Sequence, residues 1–73
     1  MNVYLSDFGL KIVDEVRKKK GWNKYDKRWF IEAGTCESTL KRFWLQRPIR
    51  VGNFIQFCKV VGIDDWQSLA IWI

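Results

Sequence analysis

The chain has 73 residues, 48% of them hydrophobic and 16% aromatic, with one Pro and no His, so it has room for one small folded domain and too many apolar residues for a disordered tail. No apolar run approaches the ~20 residues that cross a bilayer, and Met1–Leu10 lacks a basic stretch followed by an apolar one, which excludes membrane spanning and favours a cytoplasmic setting over secretion. Lys and Arg outnumber Asp and Glu by 13 to 8, a net charge of +5, and a basic balance favours polyanionic partners.

The expected elements are all helices. Ser6 or Asp7 caps a helix over 7–20, with Phe8, Ile12, Val13 and Val16 as its apolar face and Gly21 as its stop. Its last turn, Arg17-Lys18-Lys19-Lys20, either opposes the negative end of the helix dipole or contacts phosphates. Trp22–Tyr25 reads as a connecting loop whose two rings are open to base stacking. Asp26 caps a short second helix, 26–33, with Trp29, Phe30 and Ala33 inward and Gly34 in the turn behind it. The third helix, 37–45, places Leu40, Phe43 and Trp44 inward and leaves Glu37, Ser38, Lys41 and Arg42 for water or a partner.

After the loop around Pro48, a fourth helix over 51–61 carries Phe54, Ile55, Cys58 and Val61. A fifth over 65–72 starts at an Asp64/Gln67 capping box and aligns Trp66, Leu69, Ala70 and Ile73. Trp29, Phe43, Trp44, Phe54, Phe57 and Trp66 are the expected core aromatics. No segment shows the period-two alternation of a strand, so the expected fold is all-α, five short helices in a single domain, 1–73.

Charge is concentrated in the middle of this plan. Between Arg17 and Arg50 stand eleven cations against three acids, Asp26, Glu32 and Glu37, while the flanking residues are net acidic. The chemistry of catalysis is poorly represented. Without His the commonest general base is missing, and Cys36 and Cys58 alone cannot complete a zinc site of about four ligands. No enzymatic activity, metal, cofactor or small-molecule ligand is expected. Both thiols are expected to be reduced, with a disulfide between them the lesser alternative.

Helix two, a short turn and helix three have the organisation of a helix-turn-helix. Lys20-Gly21-Trp22, Glu32-Ala33-Gly34-Thr35, the apolar set Trp29, Ala33, Leu40 and Phe43 around Gly34, Ser38-Thr39-Leu40-Lys41-Arg42-Phe43, Arg47-Pro48 and Val60-Val61-Gly62-Ile63-Asp64 together resemble the Cro/lambda-repressor-like helix-turn-helix domains of the xenobiotic-response-element type. Four positions depart from that pattern: Phe30 replaces a small residue where the helices cross, Asp26 replaces Gln, Cys36 replaces a capping Ser and Thr35 replaces Val; the stretch from Gly21 to Gly34 is also longer than the pattern's. More loosely, Lys20-Gly21-Trp22, Ser38–Trp44, Pro48-Ile49-Arg50 and Asn53-Phe54-Ile55 resemble the N-terminal helix-turn-helix-like modules of large cyanobacterial signalling proteins.

The first resemblance implies a lambda-repressor-like fold that binds double-stranded DNA in transcription regulation. Helix three then reads base edges through Glu37, Ser38, Thr39, Lys41 and Arg42, and Lys27, Arg28, Arg47 and Arg50 hold phosphates. The bland reading of Glu37 and Lys41 is a solvated ion pair four residues apart. The alternative function is a protein-interaction module. Trp66, Leu69 and Ile73 of the apolar C-terminal segment are the expected seam for a homodimer or a downstream domain.

Overall fold

Both ends of the chain leave the helical plan and pair into a small sheet. In a computed structural model covering residues 1–73, the order is β1 (Asn2–Leu5), α1 (Asp7–Lys20), α2 (Lys27–Glu32), α3 (Glu37–Trp44), β2 (Ile49–Arg50), α4 (Val51–Val60), a 3-10 helix (Trp66–Leu69) and β3 (Ala70–Trp72). The sheet is antiparallel, in the order β2-β1-β3, with Val3 opposite both Ile49 and Trp72. The architecture is therefore α+β. The all-α, five-helix expectation is overturned, and with it the lambda-repressor-like fold.

The four helices form where local signals place them. Ser6 accepts a bond from the Gly9 amide at 2.9 Å and Asp26 one from the Arg28 amide at 3.0 Å, each satisfying an amide that the helix itself leaves free. Gly34 turns the chain after α2 at φ 72°, a left-handed conformation that L side chains rarely adopt. Trp29, Ala33, Leu40 and Phe43, the apolar set around that glycine, are all buried.

The face of α1 is not the one that counting hydrophobics suggests. Gly9 and Val13 are buried, whereas Phe8 is 61% exposed. The hidden determinant is Gly9: a Cβ there would stand 2.7 Å from the Leu69 carbonyl oxygen and 2.9 Å from the Leu69 Cβ. Absence of a side chain lets the 3-10 helix lie directly on α1, and this rotates Phe8 away from the core.

The same contact explains the strands. With Leu69 against α1, the Ser6 amide donates to the Leu69 carbonyl at 3.0 Å, the Ile73 amide reaches the Asn2 carbonyl at 3.3 Å, and Ala70 adopts extended angles. The expected helix over 65–72 is thus a single 3-10 turn, capped at Asp65 without a side-chain bond, and then a strand. Ile71, Trp72 and Ile73 suit that strand by shape. In β1, Val3 and Leu5 are fully buried while Asn2 is exposed and Tyr4 half-buried. This is a period-two pattern, but one only four residues long.

The core lies between the sheet and the helices. Trp29, Phe43, Phe54 and Phe57 are at most 1% exposed, and the Phe43 ring centroid lies 5.4 Å from that of Phe54 and 5.0 Å from that of Phe57. Trp29 donates its indole N–H to the Phe57 carbonyl at 3.1 Å, so the one polar atom of its ring is satisfied. Burying each such side chain stabilises the fold by about 1.5–3 kcal/mol. Trp66 is only half-buried, packed edge-on against Phe54 and tilted against Trp72. No helix is long and apolar enough to cross a membrane.

Candidate nucleic-acid interface

The inner face of α3 is fixed by Leu40, Phe43 and Trp44, all buried. At 100° per residue, Ser38, Arg42 and Leu45 then stand on the opposite side, with Lys41 on the flank and Glu37 nearer the buried edge. All five are exposed. Three further contacts set the helix in place: Trp44 donates its indole N–H to the Lys24 carbonyl at 2.7 Å, and the Gln46 side-chain amide donates to the Leu5 carbonyl at 3.1 Å and to the Asp7 carboxylate at 2.9 Å. The end of α3 is therefore tied to the α1–α2 loop on one side and to the β1–α1 junction on the other.

Four of the five expected base-reading residues stand exposed, Ser38 and Arg42 on the outer face and Lys41 and Glu37 on its flank. Thr39 does not. It is half-buried on the flank, with its hydroxyl 3.3 Å from the Cys36 sulfur. Glu37 and Lys41 form no ion pair, since the three salt bridges of the protein involve only Asp14 and Asp26 as acids. Lys41 and Arg42 consequently carry uncompensated charge.

The expected phosphate contacts divide as well. Lys27 and Arg47 are exposed and unpaired, and the Arg47 amide bonds to the Arg42 carbonyl at 3.0 Å, which places its backbone just past the C-terminal end of α3. Arg28 is held by Asp26 through side-chain bonds of 2.9 and 2.8 Å and stands 5.2 Å from the centre of the Trp22 ring. These bonds from Arg28 lower the Asp26 carboxyl to about 2. Arg50 sits in β2 opposite Asn2, beside an open hollow lined by Met1, Asn2, Val51, Gly52 and Asn53. It belongs to the sheet rather than to the helix pair.

Trp22 is not an open stacking platform. It is 7% exposed, whereas Tyr25 remains 41% exposed. The reason is a cluster of three indoles: Trp22 and Trp44 pack on Trp29 with centroids 6.2 and 5.5 Å away. Around this cluster stand four cations, Lys20 and Arg28 on Trp22, Arg17 and Lys24 on Trp44. Arg17 also bonds Asp14 at 2.8 Å and the Trp22 carbonyl at 3.0 Å. Lys20 stands out in the sequence only as part of the basic last turn of α1 and of the Lys20-Gly21-Trp22 step, and Lys24 only in the overall charge of the segment. Their signal was a basic residue beside Trp22 on either side, legible only if the rings are known to be buried.

Phe30 stays half-buried at the margin of the core, so the larger residue is accommodated without entering the helix crossing fully. Cys36 stands at the N-cap position of α3 without a side-chain capping bond, its sulfur 3.1 Å from the Ser38 hydroxyl, and bonds from Ser38 and then Thr39 lower its thiol to about 7. Both cysteines are free, Cys36 exposed and Cys58 buried. No group of three or more His, Cys, Asp and Glu stands together to hold a metal ion.

No family of proteins, curated protein or solved structure matches this chain. The reading of the surface therefore rests on its own geometry and charge.

Proposed function

We propose that the domain is a non-enzymatic DNA-binding module whose α2–turn–α3 unit is used as helix-turn-helix proteins use theirs, carried now on an α+β scaffold. The observation that carries this reading is the outer face of α3: Lys41 and Arg42 project from a helix whose opposite face is locked into the core, and no acid neutralises them. A helix fixed from behind and cationic in front suits a major groove.

In this reading Arg42 pairs with a guanine edge and Glu37 accepts from cytosine, each worth about 1–3 kcal/mol of discrimination. Ser38 and Lys41 flank them, and Lys27 and Arg47 contact phosphates. Two free thiols fit a reducing, cytoplasmic setting. A transcription regulator, or the DNA-binding part of a larger protein, is the role that follows.

The test is titration of random-sequence duplex DNA across a salt series, with a Lys41→Ala, Arg42→Ala double variant alongside. Micromolar binding that weakens steeply with salt and falls in the variant is expected; equal binding by the two proteins would remove α3 from the interface. One observation favours a protein-interaction module instead. Ile71, Trp72 and Ile73 of the edge strand are 38, 47 and 77% exposed, and an apolar edge suits a protein partner. That reading expects no duplex binding at ~50 mM salt, where nonspecific DNA contacts are strong.

A further inference from the structure

We infer that the four cations mounted on Trp22 and Trp44 form a second DNA contact, a sequence-independent seat for the phosphate backbone in which Lys20 and Lys24 bind and Arg17 and Arg28 hold the seat in shape. The inference takes its ligand, duplex DNA, from the function proposed above, but it does not depend on α3 being the reading element.

Trp22 and Trp44 are each 7% exposed and packed on fully buried Trp29, so they are rigid supports. The Lys20 ammonium stands 4.7 Å and the Arg28 guanidinium 5.2 Å from the centre of Trp22; on Trp44 the distances are 5.8 Å for Arg17 and 5.3 Å for Lys24. All are within the roughly 6 Å over which an indole face attracts a cation. Each ring thus gathers two positive charges about itself.

The members of each pair differ in a telling way. Arg17 is bridged to Asp14 at 2.7 Å and Arg28 to Asp26 at 2.8 Å. Lys20 and Lys24 have no acid partner and are exposed. Each indole therefore carries one arginine bridged to a carboxylate, which Arg17 shares with Lys18, and one lysine without an acid partner. Lys19 and Lys27, also exposed and unpaired, extend the surface. Lysines without an internal counter-ion are complementary to an external polyanion, and, restrained by the rings, they give up less side-chain freedom when a phosphate arrives. Because Trp44 belongs to α3 and its indole holds the loop carrying Lys24, the seat adjoins the proposed reading helix.

The experiment compares the intact 73-residue chain with a Lys20→Gln, Lys24→Gln variant on two duplexes of unrelated sequence, measuring how affinity falls with salt. The expected result is a slope lower by about 2, the same on both duplexes, since each lost phosphate contact removes roughly one counter-ion. A Lys20→Arg, Lys24→Arg variant should restore the slope, which separates charge from any loss of packing on the rings. Lys59→Gln, which removes an exposed charge on α4 that stands on neither ring, should leave it nearly unchanged.

An unchanged slope in the glutamine variant, with a Lys41→Ala, Arg42→Ala variant impaired, overturns the seat and leaves the α3 reading standing. A reduced slope in the glutamine variant with the α3 variant unimpaired supports the seat and removes α3. Absence of binding by the unmodified chain at ~50 mM salt overturns both.

Discussion

The aromatic centre and the sheet are built from opposite kinds of sequence. The centre joins Trp22, Trp29, Phe43, Trp44, Phe54 and Phe57, residues from successive helices and the loop between them, and every one is buried. The sheet joins Asn2 to Ile73, the two ends of the chain, through strands of four, two and three residues, and its edge strand leaves Ile71 and Trp72 partly in solvent. The centre is held by large rings that cannot leave without a cavity. The sheet adds Val3, Leu5 and Ile49 to the same core, but its strand β3 buries little and is held mainly by backbone bonds between distant parts of the chain, whose closure costs chain entropy. Opening should therefore begin at β3 while the helices remain packed.

The strongest way to break the comparison is to remove the middle of the centre. Trp29→Ala deletes a fully buried indole that supports two other rings and bonds the Phe57 carbonyl. A loss of about 3–5 kcal/mol is expected, enough to unfold much of a domain this small, as read by urea titration with circular dichroism. Retention of wild-type stability would mean that the indole cluster is not the centre of the fold.

Gly9→Ala tests the other region. The added methyl would lie 2.7 Å from the Leu69 carbonyl, so either the 3-10 helix or α1 must shift, at a cost of about 1–3 kcal/mol. The effect should be local. Hydrogen exchange should quicken at the Ser6 and Ile73 amides, which close β1 on the C-terminal segment, with little change in α4. A uniform change through all the helices would mean that sheet and centre open together.

Gly9 also shows why the ends were hard to read. Helices α1 to α4 were legible because caps, glycine stops and apolar spacing are local signals, and their observed limits differ from the expected ones by at most a residue at either end. The sheet depends on what lies opposite. Val3 and Leu5 alternate for too few residues to register, and Trp66–Ile73 carries apolar residues that satisfy helical spacing and strand pairing equally; the missing side chain of Gly9 decides between them. The candidate interface divides likewise. The exposure of Glu37, Ser38, Lys41 and Arg42 followed from helical geometry. The binding of Arg28 by Asp26, the burial of Trp22, the turning of Thr39 toward Cys36 and the placement of Arg50 in β2 all follow from tertiary neighbours or side-chain rotamers.

A smaller effect is expected from acid. The Asp26 carboxyl is lowered from 3.8 to about 2, chiefly by side-chain bonds from Arg28. A group whose folded value is depressed contributes stability above its unfolded value and loses it as the pH falls toward the folded one, so the contribution is present above pH ~4 and fades toward pH 2. Asp26→Asn retains a capping side chain but cannot titrate, and the acid limb of a stability profile should be shallower between those values. Some slope should remain from Asp14, where bonds from Lys18 and Arg17 outweigh the opposing effect of burial. An identical limb in the variant would show that the Arg28 clasp is not maintained in solution.

The two thiols sharpen the contrast without changing stability. Cys58 lies on α4 in the core, where burial pushes its thiol up to about 12. Cys36 is exposed at the start of α3, with its sulfur near the hydroxyls of Ser38 and Thr39 and its thiol lowered to about 7. Since the thiolate is the reactive form, iodoacetamide should modify one cysteine of the folded protein at a rate that climbs through pH 7, and the second only after denaturation. Replacing Ser38 by Ala should move that midpoint toward the ordinary 9.0 of an isolated thiol. Labelling of Cys58 in the folded state at a rate matching the exchange of the β3 amides would join the centre to the sheet as one opening unit. Labelling of Cys36 alone keeps the two regions separate, with the centre closed while the chain ends open.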